Sequence, residues 1–172
     1  GTLAVTGATT ISASGQDIAL DDSASTFGTL ALTGANVAVT DAGAVDLGAS
    51  TVSGTLGITS AGAVTDSGTL AVTGATTISA SGQDIALDDS ASTFGTLALT
   101  GANVAVTDAG AVDLGASTVS GTLGITSAGA VTDSGTLAVT GATTISASGQ
   151  DIALDDSAST FGTLALTGAN VA

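Results

Sequence analysis

Apolar and polar positions alternate from the start of the chain, with Leu3 and Val5 on one face and Thr2, Ala4 and Thr6 on the other. The same period of two returns at Leu30/Leu32, Val37/Val39, Val45/Leu47 and Leu56/Ile58. Successive side chains of a strand point to opposite faces, so this pattern predicts short, half-buried strands. Thr, Val and Ile dominate the runs, and Gly, Ser, Asn and Asp break each of them after about five to eight residues, as turn formers do. The straight-chain helix formers Glu, Lys, Arg and Met are absent. The chain reads as all-β.

The runs belong to a long internal repeat. Residues 1–67 recur without a substitution at 68–134, and 135–172 copy the first 38 positions again. Inside each 67-residue period a shorter unit returns three times, anchored by GTLAVT at Gly1–Thr6, GTLALT at Gly28–Thr33 and GTLGIT at Gly54–Thr59. A second short run precedes each anchor: Asp17–Leu20, Ala44–Leu47 and Ala63–Asp66. Cutting before those runs yields units 17–43, 44–62 and 63–83. Three short strands in a unit of roughly 22 residues is the arithmetic of one rung of a parallel β-helix. The expected architecture is a β-solenoid running continuously through 1–172, with about three rungs per period. Its core ladders are expected to be Leu3/Leu30/Leu56, Val5/Leu32/Ile58 and Ile18/Val45/Val64. A string of small antiparallel sandwiches is the competing arrangement. It suffers from the short period and the lack of Asn-Gly or Asp-Gly hairpin turns.

Composition removes whole classes of chemistry. The 172 residues include 15 Asp and no Glu, Lys, Arg, His or Cys, for a net charge of −15 at pH 7. No nucleophile–His pair, thiolate, Schiff-base lysine or Cys/His zinc set can be assembled. Nucleic-acid phosphates and anionic membrane surfaces would repel such a chain, so neither is an expected partner. No apolar stretch reaches the roughly 18 residues of a spanning helix, and no leader segment stands at Gly1. A piece of a longer protein is expected, its sheet edges continued covalently or by stacking of further copies.

The cadence GTLAVTGATTISASGQDIAL followed by AVDLGASTVSGTLGITSAGAVTDSG resembles the filamentous haemagglutinin-like exoproteins. Those are large bacterial adhesins exported by two-partner secretion, with related repeats in autotransporter passengers. The resemblance implies a right-handed parallel β-helix, a place outside the cell or on its surface, and roles in adhesion, aggregation or biofilm matrix. It also implies self-association or cell-surface polysaccharide as partners. The chain departs from that family in the strict identity of its repeats, which suits a uniform shaft better than a specialised tip.

Asp supplies the only side-chain charge. Each period holds Asp17, Asp21, Asp22, Asp41, Asp46 and Asp66, and stacking of the units is expected to gather most of them into a stripe along one side. Like charges on facing strands repel, and Ca²⁺, which takes six to eight oxygen ligands, would relieve that repulsion. The adjacent pairs Asp21-Asp22, Asp88-Asp89 and Asp155-Asp156 are the candidate ligands. The alternative is a carboxylate surface that serves only solubility. Paired carboxylates also cleave glycosides in some β-helices. Here the basic and aromatic residues that would seat a sugar are missing, so no catalytic residue is expected. The outward threonines Thr2, Thr29 and Thr55 suggest a second activity, ice binding through a flat hydroxyl array. Phe27, Phe94 and Phe161 are expected at a corner or in the core, and Gln16 and Asn36 in turns. The leading expectation is a structural or adhesive extracellular filament without enzymatic activity or required cofactor.

Overall fold

A computed structural model describes the whole chain, Gly1–Ala172, and contains strands and turns without a helix. The first period holds β1 (Ala4–Ser12), β2 (Ile18–Leu20), β3 (Thr26–Gly34), β4 (Val37–Asp41), β5 (Val45–Leu47), β6 (Ser50–Val52), β7 (Leu56–Ser60) and β8 (Val64–Asp66). The second holds β9 (Leu70–Ser79), β10 (Ile85–Leu87), β11 (Thr93–Gly101), β12 (Val104–Asp108), β13 (Val112–Leu114), β14 (Ser117–Val119), β15 (Leu123–Ser127) and β16 (Val131–Asp133). The third, partial copy adds β17 (Leu137–Ser146), β18 (Ile152–Ala153) and β19 (Thr160–Thr167). Every pairing between them is parallel. The protein is a parallel β-solenoid.

Two ladders rise through it. One passes from Ile18 to Val37, Leu56, Thr76, Leu97, Leu114 and Asp133. The other passes from Val45 to Val64, Ile85, Val104, Leu123, Thr143 and Leu164. Residue numbers show that one coil takes 17 to 22 residues, shortest from Leu97 to Leu114 and longest from Val72 to Phe94. From Ile18 to Val171 the chain climbs about eight coils.

The ladders carry a finding that the repeat length concealed. Ile85 is the copy of Ile18, yet it lies on the opposite ladder, stacked on Val64. Ile152, the next copy, returns to the ladder of Ile18, stacked on Val131. Two periods therefore span seven coils, and one period makes three and a half, where the sequence arithmetic gave about three. Each segment of the repeat appears on alternate sides of the rod, with an axial offset of ~17 Å at the usual strand spacing.

That half coil rearranges the expected core ladders. Val45 and Val64 do stack, but Ile18 stacks on Val37, Leu30 stands between Thr9 and Leu47, and Leu56 stands between Val37 and Thr76. Of the inward set the alternation marks, Leu30, Leu32, Val37, Val39, Val45, Leu47, Leu56 and Ile58 are all buried, whereas Leu3 is exposed and Val5 half-buried. The buried ones join one continuous apolar column of 34 residues. Phe27 and Phe94 are buried in it, and Phe161 packs against its edge.

Long strands turn the corner between ladders without a break. In β9, Leu70–Val72 pair with β6 on one ladder while Thr76–Ser79 pair with β7 on the other. The turn lies at Thr73–Gly74–Ala75, where the register against β11 shifts. Glycine is needed there because the coils touch. A Cβ on Gly95 would stand 2.6 Å from the Thr73 carbonyl oxygen and 2.7 Å from that of Gly74. Gly82, at φ +74°, occupies the left-handed conformation that a side chain would strain.

Candidate functional site

The carboxylates and their donors form a polar system that recurs with the repeat. Asp41 ends β4 and is buried; one oxygen accepts the Phe27 N–H at 2.7 Å and the other accepts the Gly43 N–H at 2.6 Å. Its copy Asp108 does the same with Phe94 (2.8 Å) and Gly110 (2.6 Å). Burial holds the Asp108 carboxyl above the ordinary carboxylate range, against the opposing pull of those two N–H donors.

The half-buried Asp46 takes hydroxyls from the coils on either side of it, Thr29 at 2.9 Å from one and Ser67 at 2.6 Å and Thr65 at 3.3 Å from the other. Asp113 repeats the pattern with Ser134, Thr96 and Thr132. At the rim, Asp17 accepts from the Asn36 side-chain amide at 2.9 Å, and the Asn36 amide oxygen accepts the Thr55 N–H at 3.0 Å. Asn36 thus clamps three coils, more than the turn role its sequence suggested. The equivalent Asp84–Asn103–Thr122 clamp borders an open hollow of about 210 Å³ with Ala86 and Ala105 among its walls.

Asp66 accepts the backbone N–H groups of Asp88 (2.9 Å) and Asp89 (3.4 Å) from the coil above. Burial raises its pKa, the two N–H donors oppose the rise, and the charges of Asp88 and Asp89 add to it. Asp133 holds Asp155 and Asp156 in the same way.

In each adjacent pair the first carboxylate (Asp21, Asp88, Asp155) is exposed and the second (Asp22, Asp89, Asp156) half-buried. The second caps its own turn by accepting the N–H two residues on: Ala24 at 3.0 Å, Ala91 at 2.8 Å and Ala158 at 2.8 Å. No three acidic side chains converge as a metal's ligands do. Nor is there a single acidic stripe. Asp46, Asp66, Asp88 and Asp89 lie along the ladder through Val45, while Asp113, Asp133, Asp155 and Asp156 lie along the ladder through Ile18. The half coil per period sends each set of acids to the side opposite its copy.

The threonines expected to form a flat array are committed elsewhere. Thr29 bonds Asp46, Thr55 bonds Asn36, and Thr2 points to Asp22 at 3.4 Å. A different outward column is free of carboxylates: Thr40, Thr59, Ser79 and Thr100 stack on successive coils, beside Ala38, Gly57, Thr77 and Ala98. Serines missed by the sequence reading stitch the coils from within. Ser92 accepts the Leu70 N–H at 2.9 Å, and Ser117 accepts the Leu99 N–H at 3.0 Å while donating to the Gly115 carbonyl. Their signal was a small hydroxyl at an inward position of the alternation, which reads equally well as a turn residue.

This arrangement defines a class: a tandem-repeat β-solenoid whose polar side chains bind neighbouring coils together. The chain belongs to the family described as repeats of unknown function (DUF5649), whose model matches residues 1–33, 34–100 and 101–168. Its two longer matches each span about one period of this sequence and begin just before the clamp residues Asn36 and Asn103. No curated protein and no solved structure matches the chain.

Proposed function

We propose that this chain is a non-catalytic structural rod, a shaft segment of an extracellular or cell-surface filament with an adhesive or matrix role. The observation that carries the reading is the use of the carboxylates. All the carboxylates except Asp21, Asp88 and Asp155 accept hydrogen bonds from N–H or O–H groups of their own or adjacent coils, and no three acidic side chains cluster together. The cadence shared with filamentous haemagglutinin-like exoproteins supports the extracellular placement. Partners in keeping with it are further copies of the rod and surface polysaccharide.

Electron microscopy of chains carrying two, four and six periods tests the rod. Length is expected to grow by ~17 Å per period at constant width; particles that widen as periods are added would refute it. Labelling of intact cells with an antibody against the repeat tests the location, and signal only after lysis would remove the extracellular part of the proposal. A second reading, ice binding, draws on the Thr40/Thr59/Ser79/Thr100 column, and thermal hysteresis of the soluble chain decides it.

A further inference from the structure

We propose that copies of this chain associate side by side and in parallel through an uncharged face that each period carries, an inference that rests on the reading of the chain as a structural rod. On one side of the molecule four successive coils stack Thr40, Thr59, Ser79 and Thr100 in one outward column, with Ala38, Gly57, Thr77 and Ala98 in the column beside it. Asp41 is the only acid in β4, β7, β9 and β11, and it is buried. Carboxylates resume on the coil below at Asp17 and on the coil above at Asp113. The half coil per period repeats this face on the opposite side of the rod. There Thr107, Thr126, Ser146 and Thr167 stand beside Ala105, Gly124, Thr144 and Ala165.

Charge and shape together select a second copy as the occupant. The chain carries −15 and no side-chain cation, so rods that meet elsewhere bring carboxylates together with nothing to neutralise them. The uncharged face is where two of them can touch. It is also self-complementary, as an interface between identical molecules must be. A two-fold axis parallel to the rods keeps the coils level and sets the first column of one copy against the second column of the other. Ala38 then meets Thr40, Gly57 meets Thr59, Thr77 meets Ser79 and Ala98 meets Thr100. In every coil a threonine faces a smaller residue, so the two surfaces interdigitate. Reversing one rod would set Thr40 against Thr100 and Ala38 against Ala98, a collision in one column and a gap in the other. Parallel rods fit.

Area determines when they stay together. Coils about 4.8 Å apart and residues about 3.3 Å apart give the four-coil face roughly 300 Å². Contact between two such faces removes roughly 600 Å² from water, short of the ~1,000 Å² of a specific interface. A single contact therefore leaves like-charged rods apart. The face returns on the same side every two periods, which is seven coils or ~34 Å along the axis. In a rigid rod such contacts act together, so association is governed by the number of periods. Both sides carry the face, so an inner rod takes a neighbour on each side and the product is a ribbon.

Sedimentation of chains with two and six periods tests the proposal, in about 0.01 M and about 1 M NaCl, where charges are screened beyond ~30 Å and ~3 Å. The two-period chain is expected at its single-chain mass in both. The six-period chain is expected to stay single at low salt and at least to double its mass at high salt. Thr59→Asp in every copy puts a carboxylate on an exposed position of the face. Gly57→Val in every copy fills the gap without charge, and its Cβ meets only the Val37 carbonyl oxygen, at 3.7 Å. Each change is expected to keep the six-period chain single at high salt. Thr73→Asp adds the same charge at an exposed corner off the face and is expected to leave association intact. Donor and acceptor dyes on the N-termini of separate six-period chains are expected to transfer energy on mixing, as parallel rods in axial register require. A six-period chain that stays single, association indifferent to both face variants, or energy transfer only between opposite ends would overturn the proposal. Thermal hysteresis without association would overturn it too, by giving the face to ice. The rod reading fails separately, through particles at low salt whose length does not grow with the number of periods.

Discussion

Leu97→Ala is expected to destabilise the rod by about 3 kcal/mol, while the same change at Leu164 costs under about 1 kcal/mol. The two leucines occupy identical sequence, GTLAL, one period apart. Leu97 is fully buried between Thr76 and Leu114, and its replacement leaves a cavity walled by rigid coils above and below. Leu164 stacks on Thr143 alone and is 46% exposed. Local propensity and strand pattern cancel between two such copies, so the difference isolates the stacking of coils. Denaturant melts of both variants, with hydrogen exchange of the neighbouring amides, measure it. Equal losses at the two positions would contradict the ladders described above.

Thr76→Val and Thr143→Val are each expected to stabilise the protein, by about 1–2 kcal/mol. Both hydroxyls are buried and have no hydrogen-bond partner. Thr76 stands between Leu56 and Leu97, and Thr143 between Leu123 and Leu164. Valine keeps the branched shape that suits a strand and replaces an unsatisfied hydroxyl with a methyl group. The neighbouring exposed Thr77 serves as the control, since its change to Val is expected to fall within about 0.5 kcal/mol of neutral. The contrast with Ser92 and Ser117 is instructive. Those buried hydroxyls each take an N–H from an adjacent coil, so Ser→Ala at either position is expected to cost about 1 kcal/mol or more. A melt series over the four positions reads both signs at once.

The half coil per period has a consequence for any role the surface performs. Whatever one face of the rod presents, the opposite face presents ~17 Å further along the axis. The Asp84–Asn103–Thr122 clamp and its copy Asp17–Asn36–Thr55 lie on opposite ladders in this way. A solenoid built so offers the same groups to neighbours on both sides. Odd and even numbers of periods differ only in which side the last copy faces.

Much of this protein was legible from its residues. Strand identity followed from the period-two alternation at Leu30/Leu32, Val37/Val39 and Leu56/Ile58, because side-chain direction in a strand is a local property of the backbone. Solenoid architecture followed from the repeat, since a unit this short buries its apolar face only against its neighbours. What the tertiary structure alone decided was register. Coil length varies from 17 to 22 residues, and its accumulated value, not the spacing of the GTL anchors, determines which residue stacks on which. An error of half a coil in that sum moved Ile18 from beside Val45 to beside Val37, divided one acidic stripe between two ladders and turned Thr29 and Thr55 from a free array into donors. Register is a sum over every turn and bulge between two positions, such as the corner at Thr73–Gly74–Ala75, and only closure of the coils against one another fixes that sum.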